Sequence, residues 1–253
     1  MRQVSLRTAA SSSTTRIPSL QTAGPAARPG GAGRGPGSDA RIGVLCGIAS
    51  LPPATDVACA FAVAADALAS AFHLEELDAA GLFVDSFDAF ARIVLTEGGL
   101  VHFARRDADW IAAHYGAETV ERLAYAKATR LEDYALAQQA RRKFAAGLDR
   151  LMAGHRFIVL PATPCTAPLI GETRLAIGGW TGSVREALMT YTAPFNLAGC
   201  PAISIPLRRG AGALPVGLQV VGRPGDDAAL LAIAQRMEQL LHFNDRRRTC
   251  SAD

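Results

Sequence analysis

The sequence predicts an α/β protein, a mixed, largely parallel sheet flanked by helices on both faces. Two observations predict it. Short apolar runs bounded by Gly or Pro recur along the chain, at Ile42 to Leu45, Phe157 to Leu160, Ala202 to Pro206 and Gly217 to Gly222, which is the pattern of buried strands. Between them lie stretches whose apolar residues repeat at helical spacing, and strands separated by helices imply a sheet covered on both sides.

Taken in order, Ile42 to Leu45 is a strand, and an alanine-rich helix is expected from about Asp56 to Phe72. His73 to Leu77 is a candidate for the next strand, and residues 85 to 105 and 106 to 127 read as two helices. From Leu131 to Met152, Ala137, Arg141, Phe144, Leu148 and Leu151 share one helical face. Phe157 to Leu160 is a strand stopped by Pro161. The last two strands are joined by a polar, glycine-rich connection at Arg208 to Gly212. A final helix begins at Asp226 or Asp227, where a carboxylate caps free N–H groups, and presents Leu230, Ile233, Ala234, Met237 and Leu241 on one face. No internal repeat is present.

Residues 1 to 40 differ in kind. They carry Arg2, Arg7, Arg16, Arg28 and Arg34, have no acid before Asp39, and end in a Gly/Pro-rich run from 24 to 37. Such a stretch buries too little apolar surface to offset the entropy of ordering it, so it reads as a disordered, low-complexity N-terminus. Residues 41 to 242 form the folded part and 243 to 253 a polar tail.

Composition narrows the function. At 253 residues and 49% hydrophobic content the chain is long enough for a sizeable core, and a net charge of +3 with no basic stripe argues against a nucleic-acid partner. The alanine-rich stretch from Val57 to Leu74 is broken by Asp66 and His73, so no membrane partner is expected. Cys46, Cys59, Cys165, Cys200 and Cys250 are far apart and odd in number, which reads as reduced thiols in a cytoplasmic protein. His102 and His114 lie twelve apart, not at the i, i+4 spacing of a helical metal site, and no metal or cofactor is expected. Cys165 with His155 lacks a third orienting group and reads as a buried structural thiol, as does Cys200. Glu75-Glu76 reads as a solvated face.

Three blocks in the same order carry a resemblance to a known family. They are Thr192-Ala-Pro-Phe-Asn-Leu-Ala-Gly-Cys-Pro-Ala-Ile-Ser-Ile-Pro206, then Leu214-Pro-Val-Gly-Leu-Gln-Val-Val-Gly-Arg223, then Ala228-Ala-Leu-Leu231. Upstream, Leu160-Pro-Ala-Thr-Pro164 with Ala167-Pro168, Asp133-Tyr134 with Ala137 and Arg141, and Arg41-Ile-Gly-Val-Leu45 extend it. Together they resemble the C-terminal half of the amidase-signature enzymes over roughly residues 41 to 242. Pro18 to Arg28 is similar to that family's SLDTxGPxAR stretch, with Gln21 in place of the aspartate.

The resemblance implies a serine nucleophile, a second serine relaying a proton, an unprotonated lysine base and a glycine-rich oxyanion loop, used on amide C–N bonds without a cofactor. This sequence has no GGSSGGS-like loop. Its two lysines, Lys127 and Lys143, fall in expected helices and match no catalytic position. Ser12 to Pro18 can be laid over the family's GGSxRxP element, making Thr14 a weak candidate nucleophile, but serines there replace the glycines that an oxyanion loop uses. What carries over is a substrate pocket, lined or supported by Tyr191, Thr192, Phe195, Asn196 and Cys200, with Trp180 on a glycine-rich loop nearby. The expectation is an amide hydrolase by descent, inactive as a truncated chain with an incomplete amidase-signature fold. The alternatives are a non-functional gene fragment and a non-catalytic binding or partner subunit. A small amide-type ligand is the expected partner. Strands such as Ile42 to Leu45, Phe157 to Leu160 and Ala202 to Pro206 are expected to be left open, favouring self-association or a partner that supplies the missing half.

Overall fold

A computed structural model describes residues 41–48, 51–207 and 212–241. Chain contacts divide the protein at Gly33/Arg34 into two units, and every described residue belongs to the second. The expectations for residues 1 to 40, including Thr14 and the Pro18 to Arg28 stretch, and for 243 to 253 therefore lie outside the described residues.

The elements run β1 (Arg41–Cys46), α1 (Thr55–Ala69), β2 (His73–Asp78), α2 (Ser86–Phe103), α3 (Ala108–His114), α4 (Ala117–Ala128) and α5 (Leu131–Leu151). Then come β3 (Phe157–Pro161), β4 (Arg174–Ile177), β5 (Trp180–Ser183), α6 (Val184–Thr190), α7 (Ala193–Ala198), β6 (Ala202–Leu207), β7 (Val216–Gly222) and α8 (Asp227–Leu241). Five strands form one sheet in the order β2-β1-β3-β7-β6. β2, β1 and β3 are parallel, and β7 runs antiparallel to both β3 and β6. The sheet is thus mixed, and its antiparallel edge follows from a short β6 to β7 connection that needs no crossover helix.

Alternation along the strands sends side chains to two cores. Ile42 and Val44 of β1, Phe157 and Val159 of β3, and Leu218 and Val220 of β7 face α1 and α8, where they meet Val57, Phe61, Leu68, Leu230 and Met237. The alternate positions Leu45, Ile158, Leu160 and Val221 face the other layer, built from α2, α5 and the α6–α7 segment, with Ile93, Phe144, Leu148 and Phe195. Gly43 occupies this second face because a Cβ there would lie 2.2 Å from Leu77 Cδ1 and 3.0 Å from Ile158 Cγ2.

The expected helix over 106 to 127 is two helices. The Asp107 side chain accepts a bond of 2.7 Å from Trp110 N to start α3. The chain then leaves helical geometry at Tyr115 (ψ 150) and Gly116 (ψ 148) before α4 begins. The final helix starts at Asp227, within the expected bounds, and Asp226 O accepts from Leu230 N at 2.8 Å, while the Asp226 carboxylate accepts two bonds from Arg156, at 3.0 and 3.1 Å. The glycine-rich loop around Trp180 is a hairpin. Ile177 pairs with Trp180 across Gly178 (φ 54) and Gly179 (φ 87), and positive φ at both positions is what a type I′ two-residue hairpin turn requires. Of the strands expected to be left open, β1 lies between β2 and β3, and β3 between β1 and β7, so both have neighbours on each side. Among the described residues β2 and β6 are the sheet edges.

Candidate functional site

Four of the five expected pocket residues fall on or beside α7, and Cys200 lies just past its end. The helix opens with Pro194 in its first turn and closes at Gly199, in left-handed geometry at φ 74, with Cys200 N donating to Phe195 O at 3.0 Å. Three side chains far apart in sequence clamp this short element. Tyr191 is buried, and its hydroxyl donates to Leu51 O at 2.9 Å. Gln219, buried on β7, donates from Nε2 to Tyr191 O at 2.7 Å. Arg141 on α5 donates from Nε to Leu197 O at 2.9 Å. The loop before α1 is tied to the loop after β3 by Ala54 N donating to Pro164 O at 2.7 Å.

The five side chains do not share one environment. Phe195 is 0% exposed and meets Phe83 edge to face, centroids 5.9 Å apart, and Phe83 meets Phe144 likewise at 5.2 Å. Tyr191 is also core. Thr192 is half-buried, with its hydroxyl donating back to Met189 O at 3.4 Å, and Asn196 is exposed. Cys200 is half-buried at the margin of the same core. Phe195 and Tyr191 are therefore core side chains, while Asn196 is exposed.

Burial disfavours the ionised forms of the Tyr191 hydroxyl and of the nearby thiols. Burial raises the Tyr191 hydroxyl above its ordinary value. Burial raises the Cys200 thiol, an effect that Arg223 opposes and Asp149 reinforces. Burial likewise raises Cys165, with Asp56 and Glu172 adding. Raised thiols are poor nucleophiles at neutral pH. His155 does not pair with Cys165. The two flank opposite ends of β3, and His155 Nε2 lies 3.0 Å from Glu75 Oε2. Lys127 and Lys143 are exposed on α4 and α5, and Lys127 Nζ sits 4.1 Å above the Phe103 ring. His102 and His114 pair with Tyr115 and with Trp110 O, respectively. No group of three or more His, Cys, Asp or Glu among the described residues is placed to hold a metal ion. No described helix is long and apolar enough to cross a membrane.

Sequence reasoning missed Gln219 and Leu51. Gln219 had a legible signal, since an amide inside the otherwise apolar run Val216-Gly-Leu-Gln-Val-Val221 requires a buried partner. Leu51 contributes only its carbonyl, which no side-chain pattern reveals.

A mixed sheet with helices on both faces, and an α7 segment held by Tyr191, Gln219 and Arg141, define an α/β fold of the amidase-signature class. The chain belongs to the amidase family, whose model matches residues 35–231. It is 37% identical over 115 residues to a fatty acid amide hydrolase of Medicago truncatula, a match covering 46% of this chain and 19% of that protein. It is 38% identical over 115 residues to a glutamyl-tRNA(Gln) amidotransferase subunit of Bordetella avium, covering 45% and 21%. An amidase crystal structure superposes with a TM-score of 0.71 at 26% identity, over 81% of this chain and 46% of that one. The chain thus spans less than half the length of the relatives and structures it matches.

Proposed function

We propose that this chain serves the hydrolysis of amide C–N bonds, contributing a rigid wall of the substrate cavity and, among the described residues, no nucleophile–base pair. The observation that carries this reading is the clamped segment from Tyr191 to Cys200, within the residues that the amidase family model matches. Its three long-range hydrogen bonds hold backbone, not reactive groups, in place. Among the described residues the two lysines are exposed on helices and burial raises the Cys46, Cys165 and Cys200 thiols. Both lysines of the sequence are among the described residues, so the lysine of the reaction would come from a separate polypeptide, and the serine from that polypeptide or from outside the described residues. The named relatives act in different settings, so the substrate is read only as a class, a small acyl amide. The second reading is a binding or partner subunit that holds such an amide without cleaving it.

The test is turnover of benzamide and propionamide by the purified chain, alone and coexpressed with the serine- and lysine-bearing half of an amidase-family relative. Background hydrolysis alone, with turnover on coexpression, is expected. Hydrolysis by the chain alone that disappears in Thr14→Ala would overturn the proposal. Benzamide binding with no turnover in either setting would favour the binding subunit.

A further inference from the structure

A cleft of about 600 Å³, lined by no residue of the α7 segment, lies between α2, α4 and the start of α6. Its walls follow from helical periodicity. Asp88, Ala91, Arg92 and Leu95 line it from α2, and Glu118, Glu121, Arg122 and Tyr125 from α4. Both sets repeat at i, i+3, i+4 and i+7, so each helix turns one whole face to the cleft. Arg185 of α6 closes the third side.

Three arginines and three carboxylates balance in number, but not in depth. Arg92, Arg122 and Arg185 are half-buried, whereas Asp88, Glu118 and Glu121 are exposed. Positive charge is recessed and negative charge sits on the rim, and a charge withdrawn from water interacts more strongly than one in it. Glu118 is bonded to Arg122 along α4. Among the described residues no carboxylate comes within ion-pair distance of Arg92 or Arg185. Burial, with Arg122 nearby, lowers Arg185 from its usual value, and Glu118 opposes this. Beside these guanidinium groups, Leu95, Ala91 and the Tyr125 ring offer apolar surface.

We propose that this cleft binds a small organic carboxylate, its anionic end received by Arg92 and Arg185 and its apolar body laid along Leu95 and Tyr125. Guanidinium forks match carboxylate oxygens in geometry as well as charge. The site stands apart from the amide-hydrolysis reading and does not depend on it.

Benzoate is the probe, with benzamide as its uncharged counterpart, both titrated calorimetrically into the full chain at low ionic strength. Saturable benzoate binding is expected, weakened about tenfold by Arg185→Gln and by Arg92→Gln. It should also weaken as salt screens the pairing, and each variant's thermal melt should stay unchanged. Tyr125→Ala, at an exposed rim position, should weaken benzoate without disturbing the fold. No benzoate binding to the wild-type chain, retention within about twofold in both arginine variants, or benzamide binding as tight as benzoate would each overturn the proposal.

Discussion

Replacing Phe195 by alanine separates a core role from a pocket role, and the structure determines which is expected. The ring is 0% exposed, lies among Leu45, Ile158, Leu160 and Leu197, and meets Phe83 at 5.9 Å. Removing a fully buried phenylalanine costs about 3 to 5 kcal/mol, the transfer of the ring plus the cavity left behind. That is a large part of the roughly 5 to 15 kcal/mol that holds a typical domain folded. A domain of this size shifts by about 2 to 4 °C per kcal/mol, so the melt should fall by roughly 6 to 20 °C. Differential scanning calorimetry of Phe195→Ala beside Asn196→Ala measures this directly. Asn196 is exposed and its variant should stay within about 0.5 kcal/mol of wild type. A Phe195→Ala melt within about 2 °C of wild type, or an Asn196→Ala loss as large as that of Phe195→Ala, would refute the assignment of the ring to the core.

Tyr191→Phe removes the donor to Leu51 O and leaves that carbonyl unpaired beside a buried ring. A loss of about 1 to 3 kcal/mol in urea unfolding is expected, and an unchanged midpoint would remove this bond from the account of how α7 is held. Alkaline stability tests Cys46. Burial, with Glu76 and then Asp78 adding, pushes its thiol from 9.0 up to about 11. The folded chain keeps that proton where the unfolded chain has released it. Stability is therefore complete below about pH 9 and declines towards pH 11, by at most about 1.4 kcal/mol per pH unit. Tyr191, raised by burial from 10.0, adds above pH 10. Cys46→Ala should flatten the decline between pH 9 and 10, and an identical alkaline limb in the variant would contradict the burial argument.

Much of the secondary structure was legible in the sequence because its signals are local. Phe157 to Pro161 reads as a strand from its apolar run and terminal proline, and α5 and α8 read from one-face repeats such as Leu230, Ile233, Ala234 and Met237. The Gly178-Gly179 pair also carried a hairpin signal, obscured by the short and partly polar β4 and β5 beside it. The family blocks from Thr192 to Pro206 and from Leu214 to Arg223 were sufficient to expect the amidase relationship that the family comparison establishes. Strand order was not legible. That β1 lies between β2 and β3, and that β7 separates β3 from β6, depends on pairings between residues far apart in the chain. Tertiary structure alone decided that Tyr191 reaches Leu51 across 140 positions and Gln219 across 28. It alone assigned Phe195 to the core and Asn196 to the surface, and gathered Arg92, Arg122 and Arg185 from three helices into one cleft. The physical reason is one of range: periods of 2 and 3.6 residues are written in neighbouring side chains, whereas burial and charge pairing are set by whichever distant elements come to lie alongside.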